Sequence, residues 1–204
     1  MKEKDPLNII ITGVGGQGNV LLSQTIGKVL VRCGFHATIG ETYGASQRGG
    51  AVMSHLRVSR QTQYGPLIGE GQADIIVGLE PLETMRVLAQ YGNPRVAVIT
   101  NSRPVALQAL GGGSAPYPTP EEIADTLREL SSSSRVIDAT NIALEIGPPV
   151  LANIVMMGAL VGTGLLPVGP ESFEAELRES LSPDRLDMNL NAFHRGIAET
   201  SGRS

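Results

Sequence analysis

The sequence predicts an α/β fold, a Rossmann-like open and mostly parallel sheet with helices on both faces. Three observations predict it. Short, nearly unbroken apolar runs recur at residues 7–12, 73–79 and 95–100, which is how parallel strands covered on both faces read. Segments of helical period with their own start and stop residues alternate with these runs. The first run ends in Gly13-Val14-Gly15-Gly16-Gln17-Gly18, a glycine turn that opens a helix. A chain of 204 residues is long enough for one core of its own and short for two, so residues 1–204 are read as a single domain.

Taken in order, residues 7–12 form the first strand, and Leu22, Ile26, Val29 and Leu30 supply the apolar face of the helix after the glycine turn until Gly34 stops it. Residues 35–40 read as the second strand. Strand, turn, helix and strand then make a βαβ unit with a right-handed crossover. Residues 41–50 are polar and glycine-bearing and read as a shaped loop rather than a linker. Residues 51–58 alternate as a strand, Gly65-Pro66 turns the chain, and residues 73–79 form a buried strand. Pro81 opens a helix that Glu83 supports through the helix dipole, Gly92 and Pro94 close it, and residues 95–100 follow as the next strand. Gly111-Gly112-Gly113 and several prolines forbid regular structure over much of residues 103–118, so this stretch reads as a flap or an insertion. Thr119 and Glu122 bracket Pro120 with capping-box spacing, which predicts a helix over 120–130. A loop at 131–134, a short strand at 135–138, an apolar helix at 150–164 and amphipathic helices at 171–181 and 185–199 complete the chain.

Composition removes several classes of function. Sixteen basic and 20 acidic side chains give a net charge of −4, and there is no Trp, whereas nucleic-acid binding calls for a basic face with interleaved aromatics. The single cysteine, Cys33, cannot supply the roughly four thiolates of an iron–sulfur cluster or close a disulfide within the chain. With no secretory or organelle signal at the amino terminus, it points to a reducing, cytoplasmic setting. Residues 150–168 approach the length of a membrane span, but Asn153, three glycines and flanking prolines interrupt them, which predicts a buried helix and no membrane association. His36, His55 and His194 are scattered and no nucleophile–base or metal-ligand spacing occurs, so no catalytic residue and no metal site is assigned to this chain.

The glycine turn has the spacing and context of a dinucleotide fingerprint, with Gly13, Gly15 and Gly18 in place and Glu41 closing the second strand. Such glycines let a pyrophosphate approach a helix N-terminus; they equally serve close packing of helix on strand. Gly16 and Gln17 complete the turn, and the long amide of Gln17 is placed to meet whatever docks there. Tyr43, Ser46, Gln47, Arg48 and Gly49 lie where open α/β sheets put their ligands, at the carboxyl end of the second strand. Arg48 is the best anion partner among them, or else a surface arginine with a solvated tip. Asn153 on the apolar helix either contacts a ligand or bonds a neighbouring loop.

Read together, Gly13-Val14-Gly15-Gly16-Gln17-Gly18, Glu41-x-Tyr43-Gly44-x-Ser46-Gln47-Arg48-Gly49-Gly50 and Val52-x-Ser54-His55-x-Arg57 resemble the small beta or gamma subunits of 2-oxoacid:ferredoxin oxidoreductases. Pro66-Leu67-Ile68, residues 74–83, Asn153 and Asn191-Ala192-Phe193 extend the resemblance over nearly the whole chain. Within the family it looks most like the beta subunits of indolepyruvate:ferredoxin oxidoreductases. The resemblance implies a subunit inactive alone, in a complex that decarboxylates a 2-oxoacid oxidatively on thiamine diphosphate with magnesium, passes electrons through iron–sulfur clusters to ferredoxin and forms an acyl-CoA. Those cofactors would sit on a larger alpha-type partner, leaving this chain to complete the active-site wall or the approach of coenzyme A. The competing reading is a stand-alone NAD- or FAD-binding oxidoreductase, or a regulatory nucleotide-binding module.

Overall fold

The computed structural model describes residues 4–44, 50–105 and 116–202. Its centre is a sheet of six strands in the order β2-β3-β1-β4-β5-β6, with β1 at Leu7–Val14, β2 at His36–Tyr43, β3 at Ala51–Ser59, β4 at Ile75–Gly78, β5 at Ala97–Asn101 and β6 at Ser133–Ile137. Strands β1, β4, β5 and β6 pair in parallel. The sheet is mostly parallel with helices on both faces, as the buried apolar runs predict.

One strand departs from the simple βαβ picture. β3 pairs antiparallel with both β1 and β2, so it lies between the two strands that helix α1 (Asn19–Arg32) connects. Ser54 of β3 faces Ile11 on one side and Glu41 on the other. With strands spaced just under 5 Å apart, the end of β2 is therefore about 10 Å from β1 instead of beside it.

Alternation along the strands divides the core. Ile9, Ile11, Val77 and Ile99 point to one face, covered by α1, α4 (Ala139–Ile146), α5 (Ala152–Gly162), α6 (Pro170–Ser180) and α7 (Pro183–Thr200). Ile10, Ile76 and Val98 point to the other, covered by α2 (Pro81–Tyr91) and α3 (Pro120–Leu130). Thr119 caps α3 by the reciprocal pair its spacing predicts: its hydroxyl accepts from Glu122 N at 3.2 Å and Glu122 accepts from Thr119 N at 2.8 Å.

The apolar stretch at 150–164 is a buried helix. A short 3₁₀ turn at Pro149–Leu151 leads into α5, whose residues 153–161 are all buried, and among the described residues no helix is long and apolar enough to cross a membrane. Glycine lets α5 and α7 touch: a Cβ on Gly158 would fall 2.0 Å from Phe193 O, and one on Gly196 2.0 Å from Val155 O. Several bounds differ from the sequence reading, β1 for one running on to Val14. β2 runs on to Tyr43, β6 starts inside the serine run at Ser133, and α4 occupies residues left without an assignment.

Candidate functional site

The carboxyl edge of the sheet gathers the loops that follow β1, β2, β4, β5 and β6. α1, α4 and α5 all begin at this edge and pack on one face, so their positive dipole ends lie together. This is where an open α/β sheet offers a crevice, at the point where the chain switches direction between β1 and β4.

The glycine turn is built by necessity. Gly16 and Gly18 have φ of 98° and 88°, a region that side chains rarely adopt. A Cβ on Gly13 would meet Gln17 Oε1 and Asn19 Oδ1 at 2.7 Å each, and one on Gly18 would meet Asn153 Nδ2 at 2.4 Å. The Gln17 side chain folds inward, accepting from Val14 N at 2.8 Å and donating to Leu79 O at 3.1 Å. One of its two N–H groups and one lone pair of its carbonyl are thus engaged by the two loops it joins, and the other N–H and lone pair remain for whatever docks there. Asn101 Nδ2 donates to the same carbonyl at 3.3 Å and to Thr140 Oγ1 at 2.9 Å, so a polar chain runs along the strand ends from Gln17 to Thr140. Asn101 and Thr140 were missed by sequence reasoning, since nothing local distinguishes them from other strand-end residues.

On the α5 side of the turn, Asn153 is 3% exposed and, among the described residues, has no hydrogen-bond partner. Asn19 donates to Val14 O at 3.3 Å, while its Oδ1 is buried without a partner. The turn is tied to the β2–β3 connection by Gly15 N, which donates to Gly50 O at 3.0 Å, and Gly44 N donates to Ala51 O at 2.8 Å. Ser46, Gln47, Arg48 and Gly49 lie outside the described residues; their stems, Gly44 and Gly50, stand at the crevice edge. Tyr43 is exposed and donates to the Glu41 carboxylate, a bond that pushes its phenol up. Glu41 thus has a partner within its own strand and stands two strands from β1, away from where a dinucleotide fold puts its ribose-binding acid.

On the opposite face a cleft of about 210 Å³ opens between β1–β3 and α2, lined by Thr12, Thr42, Met53, Glu83, Arg86 and Tyr91 among others. Burial pushes the Glu83 carboxyl up, against the pull of Arg86. At the head of α2, the fully buried Glu80 caps the helix by accepting from Glu83 N at 2.8 Å. The other oxygen accepts from Tyr117 Oη and from Val105 N, the latter at 3.3 Å. An acid immediately before a helix-opening proline was the available sequence signal for this cap.

His55 and Arg57 serve the framework. Ile68 N donates to His55 Nδ1 at 3.3 Å, and Arg57 donates to Gly65 O at 3.1 Å and to Asn8 Oδ1 at 3.1 Å. Both side chains pin the 65–68 segment over β3, which accounts physically for their pairing with Pro66-Leu67-Ile68 in the sequence. Among the described residues no cluster of three or more His, Cys, Asp or Glu could hold a metal ion.

Comparison with known proteins agrees with this architecture. Residues 8–199 match the family described as pyruvate ferredoxin/flavodoxin oxidoreductase. The indolepyruvate oxidoreductase subunit IorB of Archaeoglobus fulgidus is 36% identical over 198 residues, covering 97% of each chain. That of Thermococcus kodakarensis is 36% identical over 191 residues, covering 93% of this chain and 94% of its own. Among solved structures, the gamma subunit of a keto/oxoacid ferredoxin oxidoreductase from Geobacter sulfurreducens superposes with a TM-score of 0.68 at 22% identity, covering 95% of this chain and 98% of its own. A 2-oxoglutarate:ferredoxin oxidoreductase from Magnetococcus marinus, with 2-oxoglutarate, coenzyme A and succinyl-CoA bound, gives 0.73 at 22% identity over 97% of this chain and 31% of its own. At that identity the two structures speak for the shared fold.

Proposed function

We propose, from the premise that this chain belongs to the pyruvate ferredoxin/flavodoxin oxidoreductase family, that it is the small, non-autonomous subunit of a cytoplasmic indolepyruvate-type 2-oxoacid:ferredoxin oxidoreductase. One observation carries the reading: an IorB subunit matches it over 97% of both lengths at 36% identity. The resident groups such a reaction needs do not fit this chain alone. One cysteine in 204 residues falls short of the thiolates of a cluster, and the described residues hold no group of three or more His, Cys, Asp or Glu that could take a metal ion. Thiamine diphosphate and the clusters are therefore assigned to a larger partner, with ferredoxin as the electron acceptor of the complex.

What remains for this chain is to shape the wall of the shared site and the approach of coenzyme A, with residues 13–18, Tyr43, the 45–49 connection and Asn153 as the contact surface. The stand-alone NAD- or FAD-binding reading is disfavoured by β3, which separates β1 from β2, and by Gln17, which joins the loops between which a pyrophosphate would lie. The test is purification of the tagged chain from its host. A brown complex containing thiamine and iron with a larger subunit supports the assignment; a colourless lone chain carrying stoichiometric NAD or FAD overturns it.

A further inference from the structure

We propose that the cleft between β1–β3 and α2 is a binding site for a zwitterionic α-amino acid with an apolar side chain. Three polar side chains of its lining have hydrogen-bonding capacity left over. Glu83 is 3% exposed, and among the described residues only Arg86 Nη1 donates to its carboxylate. A buried carboxylate with a single donor is under-satisfied, and burial pushes this one up; a ligand ammonium supplies a second, charge-assisted bond. Arg86 lies three residues on, on the same face of α2, with its side chain about half exposed. Glu83 takes one of its five N–H donors, which leaves donors for a carboxylate. Thr12 is 1% exposed, and its hydroxyl is buried without a partner among the described residues. The strand register sets Thr12 beside Met53, which faces Thr42 on its other side, and all three line the cleft.

Charge and size select the ligand class. Glu83 and Arg86 form a pair of no net charge, so a ligand of one sign is repelled by one of the two. An amino acid carries both signs on one carbon: its carboxylate goes to Arg86, its ammonium to Glu83 and the Thr12 hydroxyl, and its side chain to Met53, Val87 and Tyr91. The volume of about 210 Å³ is that of roughly seven waters in the liquid. It admits an amino acid and falls below the ~300 Å³ at which pockets for larger ligands begin. The cleft lies on the α2 face of the sheet and shares only Tyr43 with the contact surface proposed above. The inference goes beyond the subunit reading and does not rest on it.

The test titrates the full chain by calorimetry with L-leucine, L-phenylalanine and two analogues of single charge, phenylalaninamide and N-acetylphenylalanine. Saturable binding of either amino acid, at least tenfold weaker in Arg86→Gln with an unchanged circular dichroism spectrum, supports the site. Thr12→Val, which keeps the shape and removes the hydroxyl, is expected to weaken binding severalfold and serves if the Arg86 variant does not fold. Both analogues are expected to bind at least tenfold more weakly than phenylalanine. No saturable binding of either amino acid by the wild-type chain, or equal affinity in the folded variants, overturns the proposal. An analogue that binds as tightly as phenylalanine overturns the zwitterionic class. The subunit reading is scored separately, by 2-oxoacid oxidation in the co-purified complex, which can persist when this site fails.

Discussion

The side-chain amide of Gln17 spans from the glycine turn to β4, donating to Leu79 O at 3.1 Å while its carbonyl accepts from Val14 N at 2.8 Å. One side chain thereby fixes two of the loops that build the crevice. Gln17→Ala removes both hydrogen bonds and is expected to cost about 1–3 kcal/mol. Gln17→Glu, which sets a carboxylate against a carbonyl oxygen, should cost more. Urea unfolding of the three proteins gives the order; equal midpoints would remove Gln17 from the framework.

Gly18 and Gly16 share a left-handed backbone but differ in surroundings. A Cβ on Gly16 meets nothing within 4 Å, whereas one on Gly18 meets Asn153 Nδ2 at 2.4 Å. Gly16→Ala is expected to lose about 1–2 kcal/mol for the backbone alone, and Gly18→Ala to lose more because Asn153 must shift. Thermal melts distinguish them, and a Gly18→Ala as stable as Gly16→Ala contradicts the packing described.

His55 is buried, and burial lowers its pKa. The neutral ring accepts from Ile68 N, so the unfolded chain binds the extra proton. Its contribution to stability is present above the ordinary imidazole value of about 6.5 and is lost as pH falls through the lower folded value. Between about pH 7.5 and pH 5 the wild type should therefore lose more stability than His55→Asn, which keeps an acceptor without titrating. Parallel slopes for the two proteins would contradict this.

Tyr117 donates to the Glu80 carboxylate and accepts from Leu82 N at 3.2 Å. Burial, then Glu80, raise its phenol well above the ordinary value, so its contribution is present below about pH 10 and lost above it. Tyr117→Phe is expected to destabilise by about 1.5–3 kcal/mol at neutral pH and to flatten the alkaline loss. Unfolding measured on either side of pH 10 checks both effects.

Much of the fold was legible in local sequence, because its causes are local. The apolar runs of β1, β4 and β5, the Thr119–Glu122 cap and Pro81 at the head of α2 each act within a few residues. The position of β3 was not legible. Alternation marks a strand at Ala51–Ser59 and says nothing of which strands flank it, and that pairing is what parts Glu41 from β1. α4 escaped because Ala139–Ile146 has few turns to show a period and its N-cap, Asp138, makes no side-chain cap bond. At the site, the glycines announced the turn, but the inward fold of Gln17 depends on Leu79, distant in sequence, and so had no local mark.

Arg48 belongs in sequence to the connection between Gly44 and Gly50. Arg48→Ala is expected to lower turnover of the assembled complex more than it weakens assembly. Steady-state rates beside the yield of co-purified partner check this, and unchanged kinetics would remove Arg48 from the site.

The most direct measurement is viologen reduction by this chain co-purified with its larger partner, with indolepyruvate, pyruvate and 2-oxoglutarate compared in the presence of coenzyme A. The expected result is 2-oxoacid-dependent reduction, fastest with indolepyruvate, and none by the chain alone. No reduction with any of the three acids by a complex loaded with iron and thiamine would contradict the account.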